Sequence, residues 1–131
     1  RNIVTTYDIS KSEKFVNFTL DGTFTDNLGN YGYAESSSIV LLENNQVVKL
    51  EGYGQSTYQN KEILYGRGVR NQQEQNSGVG KNEVIGATGS LKDLIGMECT
   101  YAIKFFENYY YWLQKCNITE KQKEILINLS K

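Results

Sequence analysis

The chain of 131 residues has no histidine and no proline, only two cysteines, one methionine and one tryptophan. Without histidine it lacks the usual general base at neutral pH, and Ser-His-Asp and Cys-His catalytic sites are excluded. The commonest ligand for zinc or haem is missing as well, so no metal and no cofactor are expected. Without proline, none of its bends is set by a pyrrolidine ring. No apolar run approaches the ~18 residues that a membrane-spanning helix needs. The net charge is −1, with the Lys and Arg residues spread along the chain. Nucleic acid requires a concentrated basic face, so it is not an expected partner. Gly78-Val79-Gly80-Lys81 lacks the full spacing of a phosphate loop.

Tyrosine and glycine are plentiful, at ten and twelve residues. The length suits one domain, residues 1–131, with a single core. The apolar content of 39% is lean, and the aromatics add half-buried bulk. The hydrophobic pattern has period two. Val16, Phe18, Leu20, Gly22 and Phe24 alternate with Asn17, Thr19, Asp21, Thr23 and Thr25, the mark of a strand with one apolar face. The same reading predicts strands over residues 3–9, 15–26, 31–42, 47–58, 62–70, 82–85, 96–106 and 109–116. Short turns separate most of them, which favours antiparallel neighbours. Residues 71–81 are polar and contain glycine, and read as an exposed loop.

Seven or eight such strands make either a sandwich or a closed barrel. The glycines favour the barrel. A turn centred on residues 59 and 60 places Gly52 and Gly54 opposite Gly68 and Gly66 on one face, and paired glycines let a sheet bend sharply. The tail differs from the rest. Thr119 and Gln122 have capping-box spacing, and Ile125, Leu126 and Leu129 recur at helical intervals. Residues 1–117 are thus read as the barrel and 118–131 as a tail with a short helix, from Glu120 to about Leu129, lying across the outside or one end.

The cysteines carry a register argument. A two-residue turn at Glu107-Asn108 pairs residues whose numbers add to 215, and Cys99 and Cys116 satisfy this. Their position is a non-hydrogen-bonded pair, where Cα atoms approach to about 4.5 Å, within disulfide range. The same register sets Phe105 opposite Tyr110 and Ile103 opposite Trp112. A Cys99–Cys116 disulfide is predicted, and with it a secreted or periplasmic protein. The first residue is Arg1 rather than methionine, which is expected either of a chain whose leader has been removed or of one that has been trimmed. Three sequons, at Asn17, Asn117 and Asn128, are expected by chance in so asparagine-rich a chain.

Chemistry is left to carboxylates, phenols and arginine. Tyr31, Tyr33, Glu35, Ser37 and Ile39 share one face of their strand. Tyr53, Tyr65 and Arg67 sit among the paired glycines, and Tyr101 and Trp112 belong to the last hairpin. If that face points inward, Tyr31, Tyr33, Tyr53, Tyr101 and Trp112 would line a ligand pocket. Glu35, Arg67 and Tyr65 would be its catalytic candidates, because a carboxylate in an aromatic cavity is retuned by desolvation or by a neighbouring arginine.

Val84-Ile85-Gly86-Ala87-Thr88-Gly89-Ser90-Leu91, with Gly96 after it and Leu64-Tyr65-Gly66-Arg67-Gly68 before it, resembles a segment of the dirigent and allene oxide cyclase superfamily. That segment carries a Gly-Gly-Thr-Gly turn. Ala87 and Leu91 depart from the pattern. Gly86, Thr88, Gly89 and Gly96 match it, in structural roles. The resemblance implies an all-β, eight-stranded antiparallel calycin-like barrel with an apolar cavity, often in a trimer. It also implies cofactor-free cyclisation or coupling of small hydrophobic molecules. The family's catalytic residues find no counterpart here. Three readings follow: a barrel that binds a small hydrophobic or aromatic molecule, a cofactor-free cyclase or isomerase, and a packed interaction module.

Overall fold

The computed structural model describes residues 1–70, 73–74 and 77–131, and the side chains of residues 1–70 and 78–131. Its strands are β1 (Asn2–Asp8), β2 (Glu13–Thr25), β3 (Tyr31–Glu43), β4 (Gln46–Tyr58), β5 (Ile63–Arg70), β6 (Gln73–Glu74), β7 (Ser77–Ala87), β8 (Glu98–Phe106) and β9 (Tyr109–Asn117). Helix α1 spans Glu120–Leu129. The sheet runs in the order β1-β2-β3-β4-β5-β7-β8-β9, antiparallel throughout, with β6 a two-residue rung on β4. The chain is thus all-β with one short carboxy-terminal helix. The sheet curls into a half-barrel. Among the described residues its first and last strands do not pair, so the ladder is not closed.

The curl follows from the inner face. Gly52 pairs with Gly68 and Gly54 with Gly66, as the turn arithmetic predicts. A Cβ on Gly54 would stand 2.8 Å from the Glu35 carbonyl oxygen. One on Gly52 would collide with the Ser38 hydroxyl. Side chains there would prop β3 and β4 apart, so the bend depends on their absence.

Bending brings distant strands together. Val16, Phe18 and Leu20 of β2 and Val40, Leu42, Val47 and Leu50 of β3 and β4 pack against Tyr101, Ile103 and Phe105 of β8. Phe18 meets Phe105 edge-on at 6.1 Å between ring centroids. A second cluster lies nearer the helix: Leu64, Val84, Leu91, Leu94, Met97, Cys99 and Leu126. Leu91 and Leu94 belong to a 3-10 turn over Gly89–Leu94, which the period-two reading of the sequence passes over. Gly96 does not open a strand. It has φ +94, and β8 begins at Glu98.

Helix α1 closes one end of the half-barrel rather than lying along its outside. Its capping box is formed: Thr119 accepts from the Gln122 amide, and the Gln122 side chain accepts from the Thr119 amide. Two of its last carbonyls are satisfied from strand turns. Buried Asn30 donates to Leu126 O at 2.9 Å, and Gln59 donates to Leu129 O at 3.1 Å and to Asn30 Oδ1 at 2.7 Å.

The expected loop over residues 71–81 is shorter than read. Ser77–Ala87 is one strand, paired with β8 from Ser77↔Lys104 to Glu83↔Glu98. Its first half hides its periodicity because Gly80 stands where an apolar residue would. Gly80 lies opposite Tyr101, and a Cβ there would meet the Tyr101 ring and, at 2.6 Å, the Val69 carbonyl. Residues 71, 72, 75 and 76, part of the same expected loop, lie outside the described residues.

The disulfide joins Cys99 to Cys116 in the predicted register, with Phe105↔Tyr110 and Ile103↔Trp112 also opposite. The Cα atoms are 3.9 Å apart, closer than the expected spacing.

Three stability results are expected. Gly54→Ala should lower unfolding free energy by roughly 2 kcal/mol, through overpacking against backbone. Gly86→Ala, whose added Cβ would find only ordinary contact with Tyr65, should stay within about 0.5 kcal/mol. Chemical denaturation of the two variants checks both. Replacing both cysteines with alanine should cost roughly 3 kcal/mol, read in the same way.

Candidate functional site

The concave face has a narrow chemical waist between its two packed clusters. Cross-strand register places Gly22, Ala34, Ser36, Gly54 and Gly66 there. These small residues are only half-buried, although they face inward. The waist is therefore the floor of a trough. One wall is β9, whose inward residues are Tyr110, Trp112, Gln114 and Cys116.

Trp112 stacks on buried Tyr101 with ring centroids 4.2 Å apart and planes 11° from parallel. It remains 37% exposed, leaving part of the indole open to the trough. A Cβ on Gly22 would lie 2.8 Å from the Tyr110 hydroxyl, so this phenol reaches across from β9 towards β2. Asn82 Nδ2 donates to Gln114 Oε1 at 3.1 Å, giving the wall a paired amide group. Deeper in, Arg70 is buried and its charge is felt by the Tyr101 phenol. Burial lowers the pKa of Arg70, partly offset by Tyr101. Burial raises the pKa of Tyr101, partly offset by Arg70. Tyr110 is also raised, first by burial and then by the charge of Asp21.

Most of the residues singled out from sequence lie elsewhere. Tyr31, Tyr33, Glu35, Tyr53, Tyr65 and Arg67 stand on the convex face. The cause is register. Val16 pairs with Val40 and Phe18 with Ser38, so even-numbered positions of β3 share the apolar inner face and odd-numbered positions point out. The structure does gather these residues: Glu35 and Tyr65 flank Gln55 in one row, and Ser37, Tyr53, Arg67 and Glu83 form the next. The Arg67 guanidinium donates to Glu51 at 2.9 Å, and the Tyr53 hydroxyl donates to the same carboxylate at 3.0 Å. These bonds hold the Glu51 carboxyl below its ordinary pKa. Ser37, Ser38, Ile39, Glu51 and Tyr53 line an open depression of about 400 Å³. Of the aromatic residues expected in a pocket, Tyr101 and Trp112 face inward.

Sequence reasoning passed over Asn82, Gln114 and Arg70. Each shares an alternating face with residues it did place, Arg70 with Leu64 and Gln114 with Trp112. Among the described residues no group of three or more Cys, Asp and Glu side chains is placed to hold a metal. Nor, among the described residues, is any helix long and apolar enough to cross a membrane.

Comparison with protein-family models, with curated proteins and with solved structures finds no match.

The buried phenols make stability sensitive to alkali. Burial, aided by the charge of Asp26, pushes Tyr58 up to about 12. A raised phenol pKa means that the folded state holds its proton more tightly. That contribution is complete below pH ~10, the unfolded value, and is lost as pH rises through ~12. Unfolding free energy should therefore fall between these limits, and Tyr58→Phe should flatten much of the fall. Denaturant titrations at stepped pH measure it.

Proposed function

We propose that the protein binds a small flat apolar or aromatic molecule in the concave trough, without turning it over. The observation that carries this is the half-buried floor of Gly22, Ala34, Ser36, Gly54 and Gly66 beside a partly exposed indole, between two clusters that are fully packed. A floor without long side chains leaves room for a ring. Trp112 offers stacking, and the Asn82–Gln114 amides offer one polar anchor. With its seam closed, the trough would become the interior of a calycin-like barrel of the dirigent and allene oxide cyclase kind. The disulfide suits an oxidising compartment, secreted or periplasmic.

Binding is better supported than cyclase or isomerase chemistry. Glu35, Tyr65 and Arg67 stand on the other side of the sheet from the trough, where solvent reaches them. A second reading, the interaction module, draws on that same convex face. Tyr31, Tyr33 and Tyr53 are exposed there around the Arg67–Glu51 pair, and tyrosine-rich faces are suited to protein contacts.

Trp112 is the chain's one tryptophan, so its emission reports the trough alone. Titration with 1-anilinonaphthalene-8-sulfonate should quench it saturably at one site per chain. Trp112→Ala should weaken binding, followed by probe fluorescence, by roughly tenfold, the loss of about one aromatic stack. Tyr33→Ala should leave it unchanged. Unaltered Trp112 emission with this probe and with a panel of planar aromatics would remove the trough reading and favour the convex face. Native mass spectrometry of the non-reduced protein would identify a co-purifying ligand and report whether copies assemble as a trimer.

A further inference from the structure

The open side of the half-barrel has a geometry that specifies its own occupant. Six antiparallel steps separate β2 from β9 along the sheet, so these two strands run in the same direction. The curl brings them to face each other. Arg1 lies over the Phe105 ring at 4.3 Å and donates from its guanidinium to the Glu107 carbonyl, while Tyr110 reaches Gly22. Among the described residues no backbone hydrogen bond joins the two strands. β1 covers only the first part of β2, from Lys14 to Thr19. Beyond it, Leu20–Thr25 is an uncovered edge facing the uncovered edge of β9.

Two parallel edges are bridged by a tyrosine side chain rather than by a ladder, and one strand inserted between them would occupy the width of two strand spacings. Two strand spacings are about 10 Å. The only direction antiparallel to both edges is that of β1, which already occupies the same edge of β2 one step below. β9 is also unguarded. Tyr109, Tyr111 and Leu113 are exposed on its outer face, and its first charged residue is Lys115. Edge strands that must stay unpaired usually carry lysine, proline or a bulge.

We propose that an extended segment of a partner polypeptide inserts between β2 and β9, antiparallel to both, and continues the β1 ladder to roof the trough. Backbone hydrogen bonds on both sides would supply its affinity, as in other strand additions. Side chains set the sequence it prefers. Inward positions meet Gly22, Phe24, Tyr110 and Trp112 and take small apolar residues. The outward position beside exposed Asp21 takes a lysine or arginine. The proposal stands on the edges alone, whether or not the trough binds a small molecule.

The probe is a blocked pentapeptide, Thr-Val-Thr-Val-Lys, which sets its valines inward and its lysine beside Asp21. Added to the intact non-reduced protein, it should bind saturably and slow hydrogen exchange at alternate amides of both 20–25 and 109–114. The same peptide N-methylated at both valines should bind at least about tenfold more weakly, since two hydrogen bonds are lost. Replacing its lysine with glutamate should weaken it further at low salt. Equal binding of the N-methylated peptide, protection confined to the convex face, or no saturable binding at millimolar peptide would each overturn the proposal. So would light scattering that shows a dimer whose β9 amides are already protected without peptide, since a second copy would then hold the edge.

Discussion

The close approach of β3, β4 and β5 at their inner-face glycines is the constraint on which the rest of the molecule depends. Gly52 and Gly54 oppose Gly68 and Gly66, with Ser36 and Ser38 on the neighbouring strand. A flat sheet of these strands would leave Val16, Phe18 and Leu20 facing water. Bent, it delivers them to Tyr101, Ile103 and Phe105, which are far away in sequence. The gain is hydrophobic, about 25 cal/mol for each Å² removed from water. It is reached only because no side chain props the waist open. The same choice empties the waist. What makes the bend achievable also makes the trough, so the shape of the fold and its small-residue floor have one cause.

Each end of the half-barrel is finished differently. At one, α1 lies across the opening, and its terminal carbonyls are bonded to Asn30 and Gln59 from the β2–β3 and β4–β5 turns. Asn30 is itself held by Asp26 at 2.8 Å, so the helix is tied to the sheet through a polar network that is buried at Asn30 and part-buried around it. At the other, the aliphatic cluster of β2, β3 and β4 fills the bore. The lateral opening between β2 and β9 has neither device. Among the described residues Tyr110 reaches across it to Gly22 and Arg1 holds the β8–β9 turn, isolated contacts where a closed sheet would have a ladder.

Much of this was legible in the chain. Strand positions followed from period two, the glycine register from one turn centre, and the disulfide from another. The helix and its cap followed from Thr119, Gln122 and the spacing of Ile125, Leu126 and Leu129. The misplaced feature was the sign of a face. Residues 39–42 of β3 are all apolar, so β3 read alone does not say which parity is buried. Pairing it with β2 does: the turn at residues 27–30 sets Phe18 opposite Ser38 and turns Glu35 outward. The tyrosines beside the glycines then belong to the convex face. β7 was half missed for a related reason. Gly78 and Gly80 replace the apolar residues that mark a strand, and Tyr101 fills the space that a side chain at Gly80 would take. Closure of the sheet was not legible, since it depends on how far each strand twists rather than on which residues alternate.

The position of the disulfide makes sense in these terms. Among the described residues β9 has β8 as its one strand neighbour, so it holds half the backbone bonds of an interior strand and would fray most readily at the end away from its turn. Cys99–Cys116 joins the hairpin at that far end, seven residue pairs from Phe106↔Tyr109, the pair next to the turn. Between the turn and the bridge lie Tyr110, Trp112 and Gln114, the residues that wall the trough. A covalent link thus does for the open edge what a further strand would do in a closed barrel. It keeps the aromatic wall in register while leaving the outer hydrogen-bonding groups of β9 unspent. An edge that is held in place but not covered is suited to receive a strand, because the ordering that binding would otherwise demand has already been met within the protein.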